Sequence, residues 1–224
     1  MAIRFSTTPP HSYLRTASVP TINANWVFSL WFKADNVTEA HTLLKVEFDD
    51  PDNNRFVLVA RGDIAGDPVQ FRSQVEGTIF EVATTGAFTA NTWNHVVACT
   101  NTSENKLHVS LNGAAWDEVS SFKLPNGSPL YIQIGGEGGY ITTIEGSIAE
   151  VAIWNALAPG TWITDGHVGR LAQGFSPLKA VPNNRPLGYW RLLGEGAYQD
   201  IIGGRTLTPY NSPVGASDHP PIIG

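Results

Sequence analysis

Along the chain, short runs of β-branched and aromatic residues alternate with clusters of Gly, Asn, Asp and Pro. That is the pattern of strands closed by tight turns. Trp26 to Phe32 is the longest run, and Asp35-Asn36 ends it. Leu43 to Phe48 follows, then an acidic turn over Asp49 to Asn54, then Arg55 to Ala60 and the turn Arg61-Gly62-Asp63. Val69 to Val75 and Thr78 to Thr84 read as two further strands. Trp93 to Thr100 and Leu107 to Leu111 flank a polar hexapeptide and predict a hairpin. Asn112-Gly113 closes the second of these, because both residues tolerate positive φ. Leu130, Ile132 and Ile134 fall on one face of a strand, Ile148 to Trp154 forms another, and Leu187 to Leu193 a last one.

One segment breaks the pattern. Thr161 to Gln173 has mixed apolar spacing, with Thr161 suited to an N-cap and Gly174 to the position after the C-cap. A single short helix is predicted there. About a dozen short strands with one late helix predict an all-β, two-sheet antiparallel jelly-roll sandwich. Residues 1–194 are assigned to that sandwich. Residues 195–224, rich in Gly and Pro, are read as an extended segment packed on the same domain or on a neighbour.

The 224 residues suit one domain. Charged residues are 15% of the chain, below the roughly 25% of an ordinary soluble domain, so Thr, Ser, Asn and Gly or partner proteins must cover the surface. With a net charge of −6 and no run of Lys and Arg, neither nucleic acid nor an anionic membrane is an expected partner. Cys99, within Val96-Val97-Ala98-Cys99, reads as a small buried hydrophobe. Nothing near Met1 resembles a secretory signal, so assembly in a cytoplasm is expected.

Several motifs carry a resemblance. Thr92-Trp93-Asn94-His95-Val96-Val97, Leu111-Asn112-Gly113 and Gly146-Ser147-Ile148-Ala149-Glu150-Val151-Ala152-Ile153-Trp154-Asn155 occur in that order. They resemble the laminin-G-like branch of the concanavalin A-like lectin/glucanase jelly rolls. Leu171 to Leu178, Tyr189-Trp190-Arg191-Leu192 and Asp218-His219-Pro220-Pro221 are similar to a branch found among tailed-bacteriophage virion proteins. The resemblance implies a non-enzymatic capsid decoration or tail-associated protein that binds other virion subunits, is assembled in the host cytoplasm and is compatible with a homo-oligomer. A carbohydrate-binding module attaching to host or environmental glycans is the alternative.

Glucanases of that superfamily set three acids on one strand. Glu47-Phe48-Asp49 begins such a pattern, but Pro51 occupies the next position on that face, so no enzyme is expected. No cofactor is expected either, apart from calcium, for which Asp49, Asp50 and Asp52 offer hard oxygen ligands. Among the aromatics, Trp31, Trp93, Trp154 and Trp190 sit in strand patterns and read as core. Trp116, Tyr140 and Trp26 lie beside turns or strand ends and are the candidates for stacking on a sugar or anchoring a partner. His95 is expected to be packed rather than to act as a ligand.

Overall fold

The computed structural model describes residues 2–7, 11–21, 25–49, 54–136, 142–155, 162, 166–194, 196 and 198–223. Alternating and all-apolar runs become β1 (Ala2–Phe5), β2 (Tyr13–Thr16), β3 (Trp26–Ala34), β4 (Ala40–Phe48), β5 (Arg55–Arg61), β6 (Pro68–Val75), β7 (Thr78–Ala87) and β8 (Asn94–Asn101). They continue as β9 (Lys106–Leu111), β10 (Asp117–Ser120), β11 (Pro129–Ile134), β12 (Gly146–Asn155), β13 (Gly188–Trp190), β14 (Leu207–Tyr210) and β15 (Val214–Ala216). One sheet has eight strands in the order β10-β9-β8-β3-β12-β1-β15, with β13 also on β12. The other has seven, in the order β14-β2-β11-β4-β5-β6-β7. The two pack face to face as an all-β antiparallel sandwich.

Between the sheets, aromatic rings interlock. Phe28 of the first sheet meets Phe56 and Phe71 of the second at centroid separations of 6.2 and 5.8 Å. Trp26 packs against Phe48 and Phe56 at 5.9 and 5.7 Å. Full burial of such a side chain contributes about 1.5–3 kcal/mol. At the β9 end, Asn112 (φ 52) and Gly113 (φ 77) form the turn that the dipeptide predicts.

The eight-stranded sheet is buried on its other face too. Val27, Val97, Cys99, Ala152 and Trp154 point away from the sandwich interior and are covered by Trp162, Val168, Leu171, Ala180 and Val181. This explains why β3, β8 and β12 read as almost unbroken apolar runs rather than strict alternations. The helical cover differs from the single helix predicted over Thr161 to Gln173. Its described parts are two short helices, α1 (His167–Ala172) and α2 (Pro177–Ala180). Thr161 lies outside the described residues, and Gly166 precedes α1 as its cap.

Two other features depart from the simple pattern. Leu130 is 41% exposed instead of sharing the buried face of Ile132 and Ile134, because a register shift between Pro129 and Tyr131 turns it outward. The segment beyond residue 194 lies along this chain's own sheets: β14 pairs with β2, and β15 with β1. The tail then crosses the outer side of the eight-stranded sheet. Asp218 accepts from Lys33 Nζ at 2.7 Å, His219 Nε2 lies 3.3 Å from Glu150 Oε1, and Ile223 N–H donates to Gly174 O at 2.6 Å. Gly174 has φ +90, and a Cβ there would sit 1.8 Å from the Pro221 carbonyl, so glycine is needed where the tail docks.

Glu150 is a buried carboxylate at a bulge in β12, with φ 54. The Tyr189 hydroxyl donates to it, and Arg191 Nε lies 3.5 Å away. Burial, with Glu150 alongside, holds the Tyr189 phenol far above its usual range, so it stays a donor. Removing residues 218–224 would strip His219 from this buried acid and Asp218 from Lys33. The shortened chain should melt about 3–10 °C lower, the effect of losing one or two partners of charged groups. An unchanged melting temperature in differential scanning calorimetry would show that the tail adds nothing to the isolated fold.

His95 gives a second prediction. Its ring is fully buried, with Nε2 2.9 Å from Ser29 Oγ and the Trp31 ring 5.1 Å away, and burial pushes its pKa down to about 3. In the unfolded chain a histidine titrates near 6.5. Between those values the unfolded chain binds a proton that the folded chain refuses. The contribution is therefore complete above about pH 6.5 and is lost as pH falls towards 3, by up to about 1.4 kcal/mol per pH unit. Burial shifts His41 and His108 in the same direction. Stability measured by urea titration should decline from about pH 7 to pH 5, with a shallower slope in His95→Gln. Equal slopes in the two proteins would refute this role for His95.

Candidate functional site

The outer face of the seven-stranded sheet has no covering helix among the described residues, and its side chains follow from strand alternation. In β5, Phe56, Leu58 and Ala60 belong to the core, so Arg55, Val57, Val59 and Arg61 face outward. In β6, Val69 and Phe71 face in, leaving Gln70, Arg72 and Gln74 out. Likewise Lys45 and Glu47 of β4, Tyr131 and Gln133 of β11, and Tyr13 and Arg15 of β2 face away from the core.

Register then lines these positions up in rows across the sheet. One row runs Arg15, Gln133, Lys45, Val57, Arg72, Glu81. The next runs Tyr131, Glu47, Arg55, Gln74, Ile79. The Arg15 guanidinium lies 3.5 Å from the centre of the Tyr131 ring, a cation–π contact. Lys45 and Glu47 form a buried ion pair at 2.6 Å.

A cleft of about 390 Å³ opens over β5, β6 and β7. Val57 and Val59 line it as an apolar floor, Ile79 stands on its rim with 54% of its surface exposed, and Arg55, Arg61 and Arg72 supply its cationic lining. The arginines are fixed by neighbours. Arg61 holds Asp63 through two hydrogen bonds, Nε at 2.6 Å and Nη2 at 2.8 Å, and its Nη1 donates to Gln70 Oε1 at 3.0 Å. Arg72 donates from Nε to Glu81 at 2.8 Å and from Nη2 to the same Gln70 oxygen at 2.6 Å. Gln70 Nε2 in turn donates to Glu81 at 3.1 Å, and Arg55 Nε donates to Gln74 at 2.8 Å. The Arg61 guanidinium holds the Asp63 carboxyl below its ordinary range, and Asp63 in return raises the Arg61 pKa.

The residues singled out from the sequence are not brought together here. Trp26 is 4% exposed in the core and presents no face to a ligand. Trp116 is half-buried against the apolar cluster under the helices, edge-on to His108, on the opposite side of the sandwich. Tyr140, Asp50 and Asp52 lie outside the described residues. Asp49 is exposed at the end of β4 and accepts the Ser128 N–H at 2.8 Å. Among the described residues no group of three or more His, Cys, Asp and Glu side chains is arranged to hold a metal ion.

Sequence reasoning missed the arginine face. Arg15, Lys45, Arg55, Arg61 and Arg72 never cluster along the chain, yet the fold gathers these five of the 14 basic residues on one surface. The available signal was the period of two in Arg55-x-Val57-x-Val59-x-Arg61 and Gln70-x-Arg72-x-Gln74.

Solved structures share the architecture at low identity, which is a likeness of fold. The "putative carbohydrate binding protein" of Bacteroides ovatus superposes with a TM-score of 0.62 and 16% identity, covering 96% of this chain and 61% of that one. The heptameric SAP-like pentraxin of Limulus polyphemus gives 0.59 at 12% identity, over 76% and 80% of the two chains. The IT-sialidase CBM40 of Ruminococcus gnavus, bound to alpha2,3 sialyllactose, gives 0.51 at 13% identity over 64% and 82%. No curated protein matches significantly in sequence. Residues 7–164 match a family of laminin-G type described as the concanavalin A-like lectin/glucanases superfamily, and the chain belongs to that family.

Proposed function

We propose that the chain is a non-enzymatic carbohydrate-binding module that holds a glycan on the outer face of its seven-stranded sheet. The observation that carries this reading is the cleft over β5, β6 and β7. It combines an apolar floor, Val57 and Val59, with fixed planar hydrogen-bonding groups at its sides. A sugar ring has the same division, with C–H groups on its faces and hydroxyls at its edge, and few well-placed polar groups suffice to orient it. Two solved proteins of similar fold are named for carbohydrate binding or contain a bound saccharide, in keeping with this reading.

Geometry also argues against hydrolysis on this face. Glu47 is buried against Lys45, and Glu81 stands three strands away from it, about 14 Å at ordinary strand spacing. Glycosidases need paired carboxyl groups no more than about 9.5 Å apart. Asp63 and Glu81, the other two carboxyl groups beside the cleft, are each bound to a guanidinium. Arg61 holds Asp63 below its ordinary range, the reverse of what a general acid requires.

A structural role in a virion is the second reading. It rests on the resemblance of the C-terminal region to phage proteins and on the low charge content, which suits surfaces meant to be covered. It loses the trans-acting arm as support, because β14 and β15 pair within this chain. A virion protein carrying a glycan-binding face would satisfy both readings.

The test is a glycan array followed by calorimetric titration. Ile79→Asp, at an exposed rim position, should weaken any glycan bound in the cleft about tenfold or more without lowering the melting temperature. Trp116→Ala should leave affinity unchanged while lowering stability, since Trp116 packs on the apolar cluster. The opposite result for the two variants would move the site to the other face.

A further inference from the structure

We infer that the cleft is selective for a carboxylate-bearing sugar, whose carboxylate is taken by Arg61 and Arg72; this rests on the glycan-binding reading and specifies its ligand. The chain as a whole is acidic, with 20 Asp and Glu against 14 Lys and Arg. The outer face of the seven-stranded sheet inverts that balance among the described residues. Five cations, Arg15, Lys45, Arg55, Arg61 and Arg72, stand there against three carboxylates, Glu47, Asp63 and Glu81. Across the strand pairs Glu47 lies opposite Arg55 and Glu81 opposite Arg72. Arg61 and Arg72, on adjacent strands, nevertheless bring their guanidiniums to the same Gln70 oxygen, a close approach of like charges that a further anion would relieve.

Hydrogen-bond geometry narrows the choice. Gln70 Oε1 accepts from both Arg61 and Arg72, so the two guanidiniums converge on one point. Each guanidinium has five N–H donors. Arg61 uses three of them within the chain, and Arg72 uses two. The Arg72 Nη1 amino group has no partner among the described residues. Paired N–H groups held in a planar fork match a carboxylate in two-point contact, better than a flexible ammonium would. Asp63 and Glu81 hold the inner edges of the two groups, which fixes their orientation before a ligand arrives. Beside them, Val57 and Val59 offer the apolar surface for the sugar ring. A charged carboxylate carried on a ring with an apolar face fits both halves of the cleft. A neutral sugar uses only one.

The experiment is isothermal titration with 3′-sialyllactose, an oligogalacturonate, the same oligogalacturonate with its carboxylates reduced to alcohols, lactose, and a sulfated heparin oligosaccharide. At least one carboxylate sugar should bind ten times or more tightly than lactose. Its affinity should drop between about 50 and 300 mM salt, as expected for screened charges. Arg61→Gln and Arg72→Gln should each weaken it tenfold or more, with the circular dichroism spectrum unchanged and each variant still fully folded at the titration temperature, and Arg72→Lys should restore part of the loss. If lactose or the reduced oligosaccharide binds as well, and Ile79→Asp but not Arg72→Gln abolishes this, the selectivity is overturned while glycan binding stands. Binding of the sulfated oligosaccharide alone overturns the carboxylate assignment. If no saccharide in the set or on an array binds, the glycan reading falls and this inference with it.

Discussion

Burial of the eight-stranded sheet on both faces is the constraint on which the rest of the molecule depends. β3, β8 and β12 present apolar side chains to each side, so the seven-stranded sheet can satisfy only half of them. Trp154, Val97 and Cys99 on the other half must be covered from within the chain. α1 and α2 do this through Val168, Leu171 and Ala180, and the tail extends the cover past Glu150. With that side occupied by the chain itself, the outer face of the second sheet stays open and carries a concave, polar cleft over β5, β6 and β7. On the proposed function, fold and function divide between the two sheets.

Arginines gathered on that surface are costly. Arg61 and Arg72 bond the same Gln70 oxygen from neighbouring strands, so their like charges stand close together and repel. Asp63, Glu81 and Gln70 offset part of this by engaging the guanidiniums, and they also hold them in place. The same interactions therefore stabilise the unliganded face and prepare it for an anion. A surface needing only solubility would interleave both signs evenly.

Much of the fold was legible because strands of this kind announce themselves. Trp26 to Phe32 and Ile148 to Trp154 are apolar enough to be assigned without any partner in view. Asn112-Gly113 set a turn by its own backbone preferences. β1, β2, β10, β14 and β15 escaped notice because each is three or four residues long and takes its regularity from a neighbour. The helical segment was placed by composition, but its described start depends on Gly166 in the left-handed region. The site was less legible. Trp116 and Trp26 drew attention as aromatics near turns, whereas the core had prior claim on both. Arg15 and Arg72 are 57 residues apart in sequence and share a row only through the pairing of β2, β11, β4, β5 and β6, which no local pattern encodes.

The claim that one sheet is closed and the other is the working face can be tested by mapping a bound sugar onto the structure. Nitrogen-15 spectra resolve arginine Nε–H and glutamine side-chain amides as well as the backbone. On titration with 3′-sialyllactose or an oligogalacturonate, whichever binds, the largest shifts should fall on Arg61, Arg72, Gln70 and Gln74 and on the backbone of β5 and β6. The indole signals of Trp116, Trp154 and Trp162 should not move. Shifts concentrated on those indoles and on α1, with the arginine signals still, would contradict the account.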